Sequence, residues 1–205
     1  MQTAIVEKVN HRLLKIWRRL LNLHSNYGRQ LNRQAVIQLL GNSMDNIILE
    51  KLGKNPFDEI SMGYQTLTFY PSNELDKAQV GYSVDDNGND LTGTSDGDWK
   101  SNWLVIGYDD IVGDPIFIDL NEDNVPVFTS QHGTGEWVPY KLADSFAQFV
   151  ESLKIIKEAS ANRETPDQLE ENKVNFWEKR KILKRISKVN SATQKVFWEK
   201  FLMVE

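Results

Sequence analysis

Along the first quarter of the chain, apolar residues recur at spacings of three and four: Ile5, Val9, Leu13, Ile16, Leu20 and Leu23, with Trp17 beside the stripe. This is the period of one helix face. Lys8, Arg12, Lys15, Arg18 and Arg19 fall mostly off it. A basic amphipathic helix of this kind most often packs on its own domain, and otherwise docks on a partner or a membrane surface. Gly28 closes it, a second helix is predicted through LNRQAVIQLL (31–40), and a short third over 43–52.

The period changes from residue 63. GYQTLTFYP (63–71) and AQVGYSV (78–84) are rich in aromatic and β-branched residues and are bounded by turn residues, so both predict strands. DDNGNDLTGTSDGDWKSN (85–102) reads as a polar loop with an Asn-Gly turn signal and five Asp. NWLVIGY, PIFIDL and VPVFTS predict three more strands. The NEDN link at 121–124 has hairpin length, which makes the last two antiparallel neighbours. QHGTGEWVPY (131–140) is a glycine-bearing loop with room for a short strand. From Lys141 the pattern turns helical, with Leu142, Phe146, Phe149, Val150, Leu153 and Ile156 on one face.

The tail carries two helix starts. Thr165-Pro166-Asp167-Gln168 places a capping Thr, a Pro at the first helical position and a Gln three residues after the cap. Ser191-Ala192-Thr193-Gln194 repeats the box without the Pro. Leu169, Phe176 and Leu183 stand seven apart, and Trp177 and Trp198 add bulk. The tail is therefore a helical extension that folds back on the domain or mediates self-association, because a free one would expose Trp and Phe.

Composition excludes several classes. An apolar fraction of 40 % with six Trp argues for a packed core rather than disorder. No apolar run approaches the ~20 residues of a membrane helix. The N-terminus interrupts each apolar stretch with charge or amide, unlike a signal peptide. With no cysteine there is no disulfide, thiolate nucleophile or Cys-based zinc site. A cytoplasmic protein is the expectation.

Charge is segmented. Residues 1–60 carry nine Lys/Arg against five Asp/Glu, residues 61–158 five against seventeen, and residues 159–205 ten against seven. A middle at −12 would repel nucleic acid and suit a basic partner, through steering and charge complementarity. Ordinary solubilising surface is the alternative.

Candidate chemistry is sparse. The only imidazoles are His11, His24 and His132. His132 with Ser130 or Thr134 and an Asp would outline a hydrolase, but no nucleophile elbow is present. Asp109, Asp110 and Asp114 offer hard oxygen ligands without calcium-loop spacing, and there is no HExxH. The GTG at 133–135 lacks the Lys and helix start of a phosphate loop. No catalytic residue, cofactor or metal is assigned. Trp103 and Trp137 read as core, and Gly113 as a turn residue needing positive φ.

Several pieces together carry a resemblance. Trp103 enters VIG, Gly113-Asp114-Pro115 leads into IFIDL, and a Val-Pro-Val-Phe strand follows. Next come His132-Gly133, then Trp137, and a helix beginning around ADSFAQF. In this order, over about residues 80–155, they resemble the SUKH superfamily, which includes fungal glucan-synthesis regulators of the Smi/Knr type and bacterial immunity proteins. GKNPFDEISMGYQ (53–65) departs from the Pro-rich, Asn-Gly-containing lead-in of that family.

The resemblance implies a non-enzymatic α+β binding domain, a mostly antiparallel sheet flanked by N-terminal helices and a closing helix. The expected division is a domain over 1–158, with helices to 60 and sheet and closing helix over 61–158, and a helical extension over 159–205. Bacterial members would neutralise a cognate toxin, for instance a basic nuclease. The fungal members suggest a regulatory scaffold with several clients instead. The expected partner surface is Asp96, Asp98, Asp109, Asp110, Asp114, Glu122 and Asp123, with Trp99 as an aromatic anchor; loop solvation is the plain alternative for the acids. The protein would act as a monomer, or as a homodimer through its C-terminal helices, without nucleic acid or membrane.

Overall fold

The computed structural model describes residues 55–190 and 195–202. The helices expected before residue 53, with His11 and His24, and the capping box at 191–194 lie outside the described residues.

Six strands form one antiparallel sheet in which neighbours in space are neighbours in sequence. They are β1 (Glu59–Met62), β2 (Gln65–Phe69), β3 (Trp103–Asp109), β4 (Pro115–Asp119), β5 (Val127–Thr129) and β6 (Tyr140–Ala143). Short helix α1 (Leu75–Ala78) lies within the long β2–β3 connection. After the sheet come α2 (Phe146–Ala159), α3 (Pro166–Glu171), α4 (Phe176–Val189) and α5 (Lys195–Phe201). The α+β expectation is met, with a closing helix and C-terminal helices. No described helix is long and apolar enough to cross a membrane.

The sheet is buried on both faces, which is why its central strands read as continuous apolar runs. Ile60, Met62, Leu67, Phe69, Leu104, Ile106, Ile116, Ile118, Val127 and Leu142 share one cluster with Phe149, Leu153 and Ile156 of α2. Leu169, Leu183, Ile186, Trp198 and Phe201 of the later helices join the same cluster. On the other face Val105 and Phe117 pack with Ala78 and Trp99, ringed by Tyr82, Trp103, Phe128 and Trp137.

Four local expectations are revised. EISM is a strand, so the sheet begins at Glu59 rather than after residue 60. It turns through Gly63 at φ +64, the positive φ that two-residue hairpin loops require. AQVGYSV is not a strand: Leu75–Ala78 is helical and a turn with Gly81 at φ +87 follows. Here the Gln79 amide takes a neighbouring strand's place, donating to Val105 O (3.0 Å) and accepting from Val105 N (3.1 Å). The register slips just beyond, between Val105 and Gly107. Residues 140–143 form the last strand, and the helix starts only at Phe146, capped by Ser145 accepting from Gln148 N. Lastly, Leu169 and Leu183 are buried but Phe176 between them is exposed.

The Thr165 capping box is present in both halves. The junction of α2, α3 and α4 is tied by Arg163, 7 % exposed. Its guanidinium donates to Ala159 O (2.9 Å), Asn172 O (2.6 Å), Asn172 Oδ1 (3.1 Å) and both oxygens of Glu178 (2.7 and 3.0 Å).

Candidate functional site

In an antiparallel meander, alternate connections share an end of the sheet. The β1–β2 turn, the β3–β4 turn (110–114) and the β5–β6 loop (130–139) lie at one end, and the β4–β5 turn (120–126) at the other. Glu122 and Asp123 are exposed, but they are a strand's length from Asp109, Asp110 and Asp114. The expected acidic group is thus divided between two ends.

In the β3–β4 turn each carboxylate has a separate task. Asp109 Oδ1 accepts from Ile111 N (2.8 Å), an Asx turn that starts the reversal. Gly113, at φ +74, completes it by donating to Asp109 O (2.8 Å). Asp110 Oδ1 accepts from Thr68 Oγ1 (3.0 Å) on β2. Asp114 Oδ1 accepts from His132 N (2.9 Å) and lies 3.1 Å from His132 Nδ1, which joins this turn to the β5–β6 loop. Burial raises the Asp109 pKa, and the charges of Asp114 and Asp110 add to the rise against the N–H groups of Ile111 and Val112. Among the described residues no group of three or more His, Cys, Asp or Glu could hold a metal ion.

The tip of this turn is apolar. Ile111 and Val112 are more than half exposed, between Asp110 and Gly113. Charge marks only the acids on either side of them. Two apolar residues on a short turn between strands already buried on both faces were the available signal.

The outer loop brings in a second acidic group. Trp137 N donates to Gly97 O (2.8 Å), so the loop carrying His132 also touches the loop carrying Asp96 and Asp98. Asp96 is exposed, whereas Asp98 Oδ2 accepts from Ser95 N (2.7 Å) and braces its own turn. Trp99 does not reach solvent. It is 1 % exposed, with its ring centroid 4.8 Å from Phe117 and about 5 Å from those of Tyr82, Trp103 and Trp137. An aromatic ring in mid-loop gains more by covering Phe117 on the outer face of the sheet than by standing in water, so Trp99 is a core residue and not the expected partner anchor. Trp103 and Trp137 are partly buried against it.

Half-buried phenols flank the acids. Tyr70 and Tyr108 lie 5.5 Å apart. Burial raises the pKa of Tyr82, with smaller contributions from Tyr70 and from the charge of Asp114. The hydroxyls considered for a hydrolase hold the loop instead: Ser130 Oγ accepts from Val138 N (3.0 Å) and Thr134 Oγ1 donates to Glu136 O (2.8 Å).

A six-stranded meander with helices on one face, a tryptophan-pegged loop on the other and an acidic, apolar-tipped end defines an α+β module whose distinctive surface is a set of loops. The family model of the SMI1 / KNR4 family (SUKH-1) matches residues 39–152, more than half of the chain, and the chain belongs to that family. Membership fits an immunity or regulatory role in general and suggests protein partners. No curated protein matches the chain. No solved structure matches it either.

Proposed function

We propose that this protein is a non-enzymatic immunity protein that binds a cognate toxin with a basic surface. The contact would be the sheet end carrying Asp109, Asp110 and Asp114, with Asp96 on the adjoining loop. The observation that supports this reading is the exposed Ile111–Val112 tip framed by those carboxylates. Binding surfaces with an apolar centre and a charged rim gain affinity at the centre and steering at the rim. Glu122 and Asp123, at the far end, are left out of this contact, and Trp99 supports it only by holding the Asp96 loop.

The test is co-expression with the product of the adjacent gene. Co-purification that weakens with salt, together with rescue of cells from that product's toxicity, is expected. D96K/D110K replaces two exposed acids and should slow association by about tenfold or more at low salt while leaving the fold intact. Unchanged association at low salt would remove this face from the interface. A harmless neighbour that does not co-purify would favour the regulatory scaffold with several clients.

A further inference from the structure

Helix α4 buries Ile182, Leu183 and Ile186. At about 100° per residue, its exposed cations Arg180, Lys181, Lys184, Arg185 and Lys188 fall with Phe176 and Trp177 within the opposite half of the helix wheel. The helix carries six Lys/Arg and one acid, Glu178, which is held by Arg163 at the edge of this face. Arg185 pairs with Glu158 (2.5 Å). Arg180, Lys181, Lys184 and Lys188 have no ion-pair partner among the described residues. Phe176 and Trp177 are 67 % and 72 % exposed, in edge contact with each other at 5.3 Å. Among the described residues neither ring joins a core cluster, and a soluble surface ordinarily avoids such a pair.

The occupant of this face must offer spread-out negative charge together with a shallow apolar layer for two rings. An anionic bilayer surface offers both, since Trp settles at headgroup depth and Lys/Arg are drawn to anionic lipid. The acidic outer loop does not oppose this contact. It packs on the face of the sheet opposite the helices, so a plane resting on α4 leaves Asp85, Asp86, Asp90 and Asp96 directed away from it. A nucleic acid wrapping the protein would meet that charge.

We propose that the α4 face docks the protein on membranes containing anionic phospholipid, with Phe176 and Trp177 entering the headgroup layer. This inference does not depend on the toxin reading.

The test is co-sedimentation of the full chain with vesicles of phosphatidylcholine alone or with about one third phosphatidylserine. Binding to the anionic vesicles only, reversed by high salt, is expected. K181Q/K184Q should lower partitioning roughly thirtyfold, at about fivefold per cation. W177A should lower it further and remove a blue shift in tryptophan emission. All these residues are exposed, so the thermal midpoint of each variant should stay near that of the wild type. Absence of sedimentation, equal binding to neutral vesicles, or indifference to the substitutions would overturn the proposal. So would binding to a single-stranded oligonucleotide but not to vesicles, or a dimer that W177A dissociates, which would assign the face to a second copy.

Discussion

Replacing Arg163 by Met removes the fork that holds three helices while keeping most of the side chain's bulk. Five hydrogen bonds disappear. Their separate values do not add, because water reaches some of the freed partners. Asn172 is exposed, and the Glu178 side chain is 33 % accessible. Removing one member of a fully buried pair costs about 3–5 kcal/mol, and with this partial rehydration we expect about 2–4 kcal/mol for R163M. For a chain of this size, 1 kcal/mol moves the thermal midpoint by about 2–4 °C, so a drop of roughly 4–16 °C is expected.

Urea unfolding of R163M, E178Q and the double variant would separate the pair from the other bonds. A coupling energy of about 1–3 kcal/mol is expected for groups sharing one network. R163K should recover only part of the loss, since an ammonium cannot make the bidentate contact. An R163M midpoint indistinguishable from wild type would refute the view that this guanidinium binds α3 and α4 to the domain.

Two further outcomes follow from the backbone and the acidic turn. Gly63 has φ +64, and a Cβ there would overlap Leu169, which is fully buried. G63A should therefore cost about 2–5 kcal/mol, from left-handed strain plus overpacking, read by urea unfolding. Asp109 has a raised pKa, chiefly from burial, so its contribution favours the folded state below the ordinary carboxylate pKa and fades as pH rises through the shifted value. D109N keeps the acceptor for Ile111 N and should melt higher than wild type at neutral pH, with the difference vanishing in acid. Equal melting at neutral pH would show that ionised Asp109 is not disfavoured.

The parts of the fold legible in the sequence are those where burial dictates pattern. β3, β4 and β5 were evident because Leu104, Val105, Ile106, Ile116, Phe117 and Ile118 face one packed layer or the other. β1 offered only Ile60 and Met62 on one side, too short a signal to separate from a helix. AQVGYSV has strand composition, yet Gln79 uses its amide in place of a backbone partner. At β6, the register shift opposite Val127 and Phe128 leaves consecutive Leu142 and Ala143 both buried, so the alternation of a strand is lost and Leu142 reads with the helical spacing of Phe146 and Phe149. The sevenfold spacing of Leu169, Phe176 and Leu183 crosses the break between α3 and α4, where a helical count has no meaning. In the site, the Asp109–Asp114 turn was found from charge alone. Glu122 is kept from it by the end of the sheet its turn occupies, whereas Asp96 sits on a connection rooted at that same far end and is brought close by the Trp137–Gly97 contact; both are tertiary facts rather than local sequence.

The outer loop is braced from within. Asp85 accepts from Asn87 N and Asn89 N, Asp90 from Thr92 N and Asp98 from Ser95 N, and Trp99 fills the space over Phe117. The residues between these braces, such as Thr94 and Asp96, carry no share of the core, and neither do Ile111 and Val112 on the neighbouring turn. The tips can thus be rewritten while the braces stay fixed. A library randomised at these four positions should yield mostly folded proteins, so the proposed contact surface can change its chemistry without any rebuilding of the interior.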